Sequence, residues 1–348
     1  MVFRLTFNAV QASRRKLLAK ATGVLAASAL VLTACSGDDN GGDNDAEGAG
    51  DQDAEFLTIA TGGSSGVYYQ VGATFSDLLE DELGSDSSVQ ATGASAENIN
   101  LLTDGNAELA FTMGDANAQA LEGSGPFEDD AREGLMAIAA LYPNTVQVVA
   151  TTESGIESID DLAGRNVAVG DVGSGVELNA QLVLKAYDMS YDDMDADFLS
   201  YAEATDQMAN GHIEAAFVTS GVPNPSLTEL ATNTDFIVVP IEGEGKDKLL
   251  DEYDFFIDDE IPGDTYEQSE DVETVGVMNH LMASSELSED AVYDITEVFF
   301  DNLDAIHNSH AAAEEITLED ATEGLTVPLH PGAEKYLEEH DVEIPDDA

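Results

Sequence analysis

At 348 residues and 43% hydrophobic, the chain is long enough to bury a large core in two lobes or domains, and it is too apolar to be disordered as a whole. Its 71 acidic against 11 basic residues, a formal net charge of −60, exclude a nucleic-acid partner and make the folded surface repel anionic membranes, since the field of such a chain repels both. A single cysteine, Cys35, excludes any disulfide within the chain, so the core alone must hold the fold.

Residues 1–34 stand apart, with Arg4, Arg14, Arg15, Lys16 and Lys20 and no acid. An apolar run from Leu17 to Leu32 follows the basic cluster, too short and too rich in Ala and Ser for a bilayer span, and this is the pattern of an export signal. Leu32, Thr33, Ala34 and Cys35 resemble a bacterial lipobox, which implies that Cys35 is lipidated and becomes the mature N-terminus. Ser13, Arg14, Arg15, Leu17 and Leu18 resemble a twin-arginine signal, which would mean export in the folded state. Residues 35–55 read as an acidic Gly/Asp tether, and Asp43, Asp45, Glu47 and Gly48 lack the twelfth-position acid of a calcium loop. Beyond the tether the acids are spread through every segment, a solvated coat that suits a salty medium, where the Debye length shrinks to about 3 Å at 1 M.

Leu57 to Ala60 predicts a strand, and Val67 to Leu83 a helix, with a Gly/Ser turn between them. Gly62, Gly63 and Gly66 let the backbone approach a guest, while Ser64 and Ser65 sit where the helix opens. The device recurs at Ser88–Ala91, Thr92–Ser95 and a helix to Leu102, with Asn98 one turn further on. It recurs again at Asn166–Val169, Gly170–Gly175 and a helix to Ala186. Between these come a strand at Ala107–Met113, a helix at Asp115–Leu121, and two apolar strands, Leu135–Leu141 and Val146–Ala150, broken at Tyr142, Pro143 and Asn144. Further on lie a helix through Met208, a strand Ile213–Val218, a helix to Ala231 and a strand Phe236–Pro240. Leu249–Asp271 reads as polar and aromatic, and Val272–Ala283 as a long strand. Helices Glu289–Ile306, Ala311–Leu325 and Ala333–His340 close the chain, and the alternation throughout argues for parallel βαβ units.

Three Gly/Ser helix starts facing one cleft would offer backbone N–H groups and the hydroxyls of Ser64, Ser65, Tyr68, Ser95 and Ser174. Such donors favour a carboxylate or phosphate. Arg132 and Arg165 are candidate carboxylate clamps. No Walker loop, dinucleotide fingerprint or nucleophile elbow is present, and His307, His310 and Glu314 fall short of a zinc set. The sequence therefore calls for no catalytic residue, no metal and no cofactor.

On IATGGSSGVYYQVG from Ile59, ATGASAENINLL from Ala91, DLAGRNVAVGDVGSG from Asp161, NGHIEAAFVTSGVPNP from Asn210 and VPLHPGAEKYLEEH from Val327, the chain resembles the TAXI family. These are the solute-binding receptors of tripartite ATP-independent (TRAP) transporters. The resemblance implies an α/β, type II periplasmic-binding-protein fold, with residues 56–150 and 273–348 as lobe 1, residues 151–272 as lobe 2, and hinge crossings near Val146–Thr151 and Val272–Asn279. It implies a monomer without catalysis that captures a small anionic solute, a glutamate-like amino acid or dicarboxylate, and hands it to the membrane subunits of a TRAP permease. Location would be the periplasm or the outer face of the cytoplasmic membrane, anchored through Cys35. Ligand contacts are expected from Gly63, Ser64, Ser65, Tyr68, Ser95, Asn98, Gly173, Ser174 and Gly175, with Thr219 and Pro223 on the far side. Two other readings stand beside it: a sensory lipoprotein feeding a signalling receptor, and an exported enzyme on the same fold.

Overall fold

The computed structural model describes residues 53–266 and 268–345, so the export signal, Cys35 and most of the tether lie outside the described residues. The β-branched opening run forms β1 (Phe56–Ala60), and the periodic segment after it forms α1 (Val67–Leu83), which buries Val67, Val71, Phe75 and Leu79. α1 stops at Gly84, whose φ of 70° is the left-handed turn that ends helices. β2 (Asp86–Gln90), α2 (Ser95–Thr103), β3 (Leu109–Met113) and α3 (Gly114–Glu122) complete the first block. β4 (Met136–Thr151) leads to a second block of β5 (Asn166–Ala168), α4 (Gly175–Ala186), β6 (Asp195–Asp197), α5 (Tyr201–Ala209), β7 (Ala215–Ser220), α6 (Pro225–Ala231) and β8 (Phe236–Val239). α7 (Gly243–Glu252) and β9 (Phe256–Ile261) precede β10 (Val272–Ala283), and α8 (Glu289–Asp301), α9 (Leu303–Ser309) and α10 (Pro331–Glu339) end the chain.

The strands join in the order β2-β1-β3-β10-β4-β7-β5-β6, with β8 beside β4 and β9 beside β10. β1 runs parallel to β2 and β3, and β5 parallel to β6 and β7, as the alternation leads one to expect. Every pairing of β4 and β10 with another strand is antiparallel, so the sheet is mixed. Along their length these two strands pass from one core to another, and Val149 of β4 turns to a third cluster with Ala204, Val218 and Leu227. Ala137, Ile138 and Leu141 of β4 and Leu281 and Met282 of β10 pack with Ile59, Phe75, Phe111, Phe299 and Tyr336. Val146 and Val148 of β4 and Val275 and Val277 of β10 pack instead with Val167, Val183, Leu184 and Phe217. The change of core falls between Tyr142 and Val146 on β4, and between Val277 and Leu281 on β10.

Three local expectations are corrected. The break at Tyr142, Pro143 and Asn144 is absent, and β4 runs straight through it. Pro143 stands opposite Met278, where the β4–β10 register shifts, so its missing N–H falls at an irregularity of the ladder, and Asn279 Nδ2 donates to Tyr142 O at 2.8 Å beside it. The helix expected at Ala311–Leu325 shrinks to a 3-10 turn, Ala311–Glu315. Beyond it Thr317 Oγ1 takes the Asp320 N–H at 3.1 Å, Gly324 turns at φ 71°, and Ala321 O accepts from Ala140 N at 2.7 Å. The backbone there is committed to local side chains and to the sheet. The polar stretch from Leu249 to Asp271 holds the end of α7 and all of β9, whose Asp258, Asp259 and Glu260 hide its strand pattern. Among the described residues no helix is long and apolar enough to cross a membrane.

Candidate functional site

The loops that follow β1, β2, β5 and β7 converge with the start of α5 on a cleft between the two cores. Gly62, Gly63, Ser65, Gly66, Val67 and Tyr68 form one wall; Thr92, Gly93, Ala94, Met113 and Asn144 the back; Gly170, Asp171, Ser174, Val176, Leu199, Ser200, Tyr201, Thr219 and Ser220 the other wall. The cleft holds about 570 Å³ of space including its mouth, room for one small guest.

The first wall is a tight turn in which Gly66 N donates to Gly63 O at 2.8 Å and α1 then begins. Gly66 supplies no side-chain cap and the first turn of α1 carries no acid, so its leading N–H groups are left for a guest. The other two helix starts differ from the expected anion mouth. At α2, Glu97 Oε2 accepts from Gly93 N at 2.6 Å, and at α4, Glu177 Oε2 accepts from Gly173 N at 3.2 Å while Ser174 Oγ accepts from Glu177 N at 3.1 Å. A carboxylate already occupies each, as the reach of an acid in the first turn allows. Asp171 lines the cleft itself, its carboxyl pushed up by burial and by the charges of Glu203 and Glu97.

No cation answers them. All six lysines and arginines among the described residues pair with acids elsewhere: Arg132 with Asp130 and Asp104, Arg165 with Glu214 at 2.9 Å, Lys185 with Glu252, Lys246 with Asp258, Lys248 with Asp188 and Lys335 with Glu289. The two arginines expected as clamps are thus spent on structural ion pairs, and neither lines the cleft.

Behind the first wall, Tyr68 ties the cleft to both long strands. Its hydroxyl donates to Asn279 Oδ1 on β10 and accepts from Asn144 Nδ2 on β4 at 3.1 Å, and its ring stacks on Phe111 at 5.4 Å. Burial pushes the phenol's pKa well up, so it remains a neutral donor. Tyr201 faces it from the second block: its hydroxyl donates to Thr219 O at 2.6 Å, and its ring lies 3.7 Å from where a Cβ on Gly66 would stand. Two buried oxygens in the lining, Asn144 Oδ1 and Thr219 Oγ1, have no partner. Ala94 sits at φ 69°, ψ −142°, a strained conformation for a residue with a Cβ, and strain of this kind collects at ligand clamps.

Of the residues expected in the site, Gly63, Ser65, Tyr68, Ser174 and Thr219 line the cleft, and Ser64, Ser95, Asn98, Gly173, Gly175 and Pro223 do not. Ser95 Oγ is buried and accepts from Met113 N at 3.2 Å. Asn98 is buried too, donating to Thr61 O at 2.5 Å and Phe111 O at 2.8 Å, so it pins the loops from behind. Gly175 lets α4 lie against β3, since a Cβ there would stand 2.6 Å from Met113 Sδ. Ser64 is exposed at the turn, Gly173 gives its N–H to Glu177, and Pro223 lies beyond Ser220. Asn144, Asp171 and Tyr201 line the cleft without having been expected there. The pattern Ser200-x-x-Glu203, a capping box that sets Tyr201 at the first helical position, is the signal that would have found the last of them.

The model of the NMT1-like family matches residues 59–340. This chain belongs to the NMT1-like family. The solved structures similar to this NMT1-like protein include PhnD1 of Prochlorococcus marinus in complex with methylphosphonate, at 13% identity and TM-score 0.52 over 76% of this chain and 92% of that one. A Bordetella bronchiseptica structure matches at 15% identity and TM-score 0.50 over 84% and 90% of the two chains. The periplasmic aliphatic sulphonate binding protein SsuA of Escherichia coli matches at 13% identity and TM-score 0.42 over 82% and 83%. The fold of this NMT1-like protein is therefore α/β, with a mixed sheet, of the type II periplasmic-binding-protein kind.

Proposed function

We propose that this chain is an extracytoplasmic solute receptor of an import system, anchored through Cys35, that captures a glutamate-like amino acid or dicarboxylate and delivers it to a TRAP-type permease. The observation that carries the reading is the cleft itself: one helix start free of side-chain acids, α1, set opposite buried acceptors that lack donors, Asn144 Oδ1 and Thr219 Oγ1. A carboxylate suits the first and an ammonium the second, and Asp171 adds negative charge on the ammonium side. That division favours an amino acid, whose ammonium answers the acceptors and Asp171, over a plain dicarboxylate, which has no cation to offer them. The bound methylphosphonate of PhnD1 is also a small anion, and the motif resemblance supports the TRAP partner.

In this reading residues 56–150 with 273–348 and residues 151–272 are two lobes that close on the solute, with β4 and β10 as the crossings. The acidic coat fits a halophilic medium, and a sodium gradient would suit the permease. The test is competition between L-glutamate and succinate for wild type and Asp171→Asn. Preference for glutamate in wild type, reduced in the variant, supports the division of charge; equal binding of both solutes by both proteins sinks it.

A further inference from the structure

Below the cleft floor, α3 of the first block meets α4 of the second through a pair that no ligand contact uses. Asp115, on the first turn of α3, and Asn179, on α4, are both fully buried, and Asn179 Nδ2 donates to Asp115 Oδ2 at 2.8 Å. The remaining oxygens, Asp115 Oδ1 and Asn179 Oδ1, have no partner. An ionised Asp115 leaves both acceptors stranded, a cost incurred twice at a fully buried position. One proton on Asp115 Oδ1 answers both, because the carboxyl then donates and the amide carbonyl accepts, and acid and amide pair by two hydrogen bonds.

We propose that Asp115 and Asn179 form a proton-held clamp that positions α4, and with it the Gly170–Ser174 wall, against α3 when the cleft closes. The link to solute capture rests on the receptor reading; the clamp itself does not. Burial pushes the Asp115 carboxyl up to about 7, against the opposing pull of the backbone N–H groups at the start of α3 and of the Asn179 amide. The groups around it do not compete for the proton. Tyr68 of α1 stays neutral, and His280 of β10, 3.4 Å from where a Cβ on Gly114 would stand, is held neutral because burial pushes it down to about 4. Glu177, on α4 one turn before Gln181, turns its carboxylate to Gly173 N and to Gln181. No lysine or arginine among the described residues is ion-paired with Asp115.

Parting of α3 from α4 lets water reach the carboxyl and returns it toward its ordinary value of about 4, so docking of the two helices takes up a proton between the two values. Solute affinity then falls by up to about tenfold per pH unit as pH rises toward 7, and levels off above about 8. The experiment compares the full chain with Asp115→Asn, which keeps a neutral side chain able to donate and accept. The wild-type minus variant infrared difference at pH 6 should contain the carbonyl band of an un-ionised carboxyl, bleached by pH 9. Amide exchange in α3 and α4, corrected for its intrinsic pH dependence, should lose protection from pH 6 to pH 8 in wild type and stay level in the variant. L-glutamate affinity should follow the same two profiles. Absence of the carboxyl band, or exchange profiles that coincide in the two proteins, overturns the clamp. Failure of wild type to bind glutamate, with band and exchange as expected, counts against the ligand reading and supports the clamp.

Discussion

Replacing Tyr68 by Phe tests whether the cleft is wired to the two long strands. The phenylalanine keeps the ring, its stacking on Phe111 and its burial, and removes only the hydroxyl that bridges Asn279 Oδ1 and Asn144 Nδ2. Both partners are at most 2% exposed, so water cannot replace the missing atom. Each stranded group costs about 1–3 kcal/mol, and partial relaxation brings the sum to roughly 2–4 kcal/mol. Asn279 Nδ2 keeps its bond to Tyr142 O, which holds the side chain in place but leaves Oδ1 stranded, and Asn144 Oδ1 is already unpartnered, so neither amide offers compensation. At about 2–4 °C per kcal/mol for a domain of this size, thermal unfolding in high salt should shift down on the order of 10 °C. Solute affinity should fall as well, since β4 and β10 then hold the first wall less firmly. A shift below about 2 °C would refute the reasoning, because it would mean that the hydroxyl network contributes nothing net.

Ser65→Ala should weaken solute binding by about 1–3 kcal/mol with little change in unfolding temperature, because Ser65 lines the cleft and caps nothing; unchanged affinity by calorimetry would count against the first wall as a binding surface. Ser174→Ala should lower both affinity and stability, the second by about 1 kcal/mol, since its oxygen caps α4, and a stability loss should appear even without solute. Ala94→Gly should raise the unfolding temperature by about 2–4 °C, relief of roughly 1–3 kcal/mol of strain outweighing the added chain entropy of glycine, and a lower temperature would show the conformation to be unstrained. Burial holds His280 neutral and lowers its pKa to about 4 against the opposing pull of Gly324 O, with Asn117 Nδ2 2.9 Å from its Nδ1, so the unfolded chain binds this proton first as pH falls. Its contribution is whole above about pH 6.5 and is lost as pH falls to about 4, by about 3 kcal/mol, and His280→Gln should flatten that part of the acid unfolding curve.

The opening strand, the turn at Gly63–Gly66 and α1 were legible because one local signal governs each: β-branching, glycine and 3.6-residue periodicity. β10 was legible for the same reason. What escaped depended on partners far along the chain. Pro143 lies inside a strand because β10 shifts register opposite it, which no window around Pro143 reveals. Asn144 reached the cleft for the same reason. Ser95 and Asn98 have the right chemistry for a ligand, yet the backbone of β3 and the loop after β1 claim them first. The three glycine-rich loops did converge on one cleft, but the acids in the first turns of α2 and α4, visible in the sequence as Glu97 and Glu177, reach back and change its charge. A reading of helix starts alone overlooks an acid that the same helix brings with it.

The receptor reading requires this cleft to hold one small solute with a carboxylate at the start of α1. Calorimetric titration of residues 56–348 in about 2 M salt, where repulsion within the acidic coat is screened, tests it most directly with L-glutamate, L-glutamine, 2-oxoglutarate and succinate. An amino acid from this set should bind tightly and one-to-one, with binding lost progressively through Ser65→Ala and Asp171→Asn. Binding that survives both substitutions unchanged, or a folded protein that gives no heat with any of the four, would contradict it.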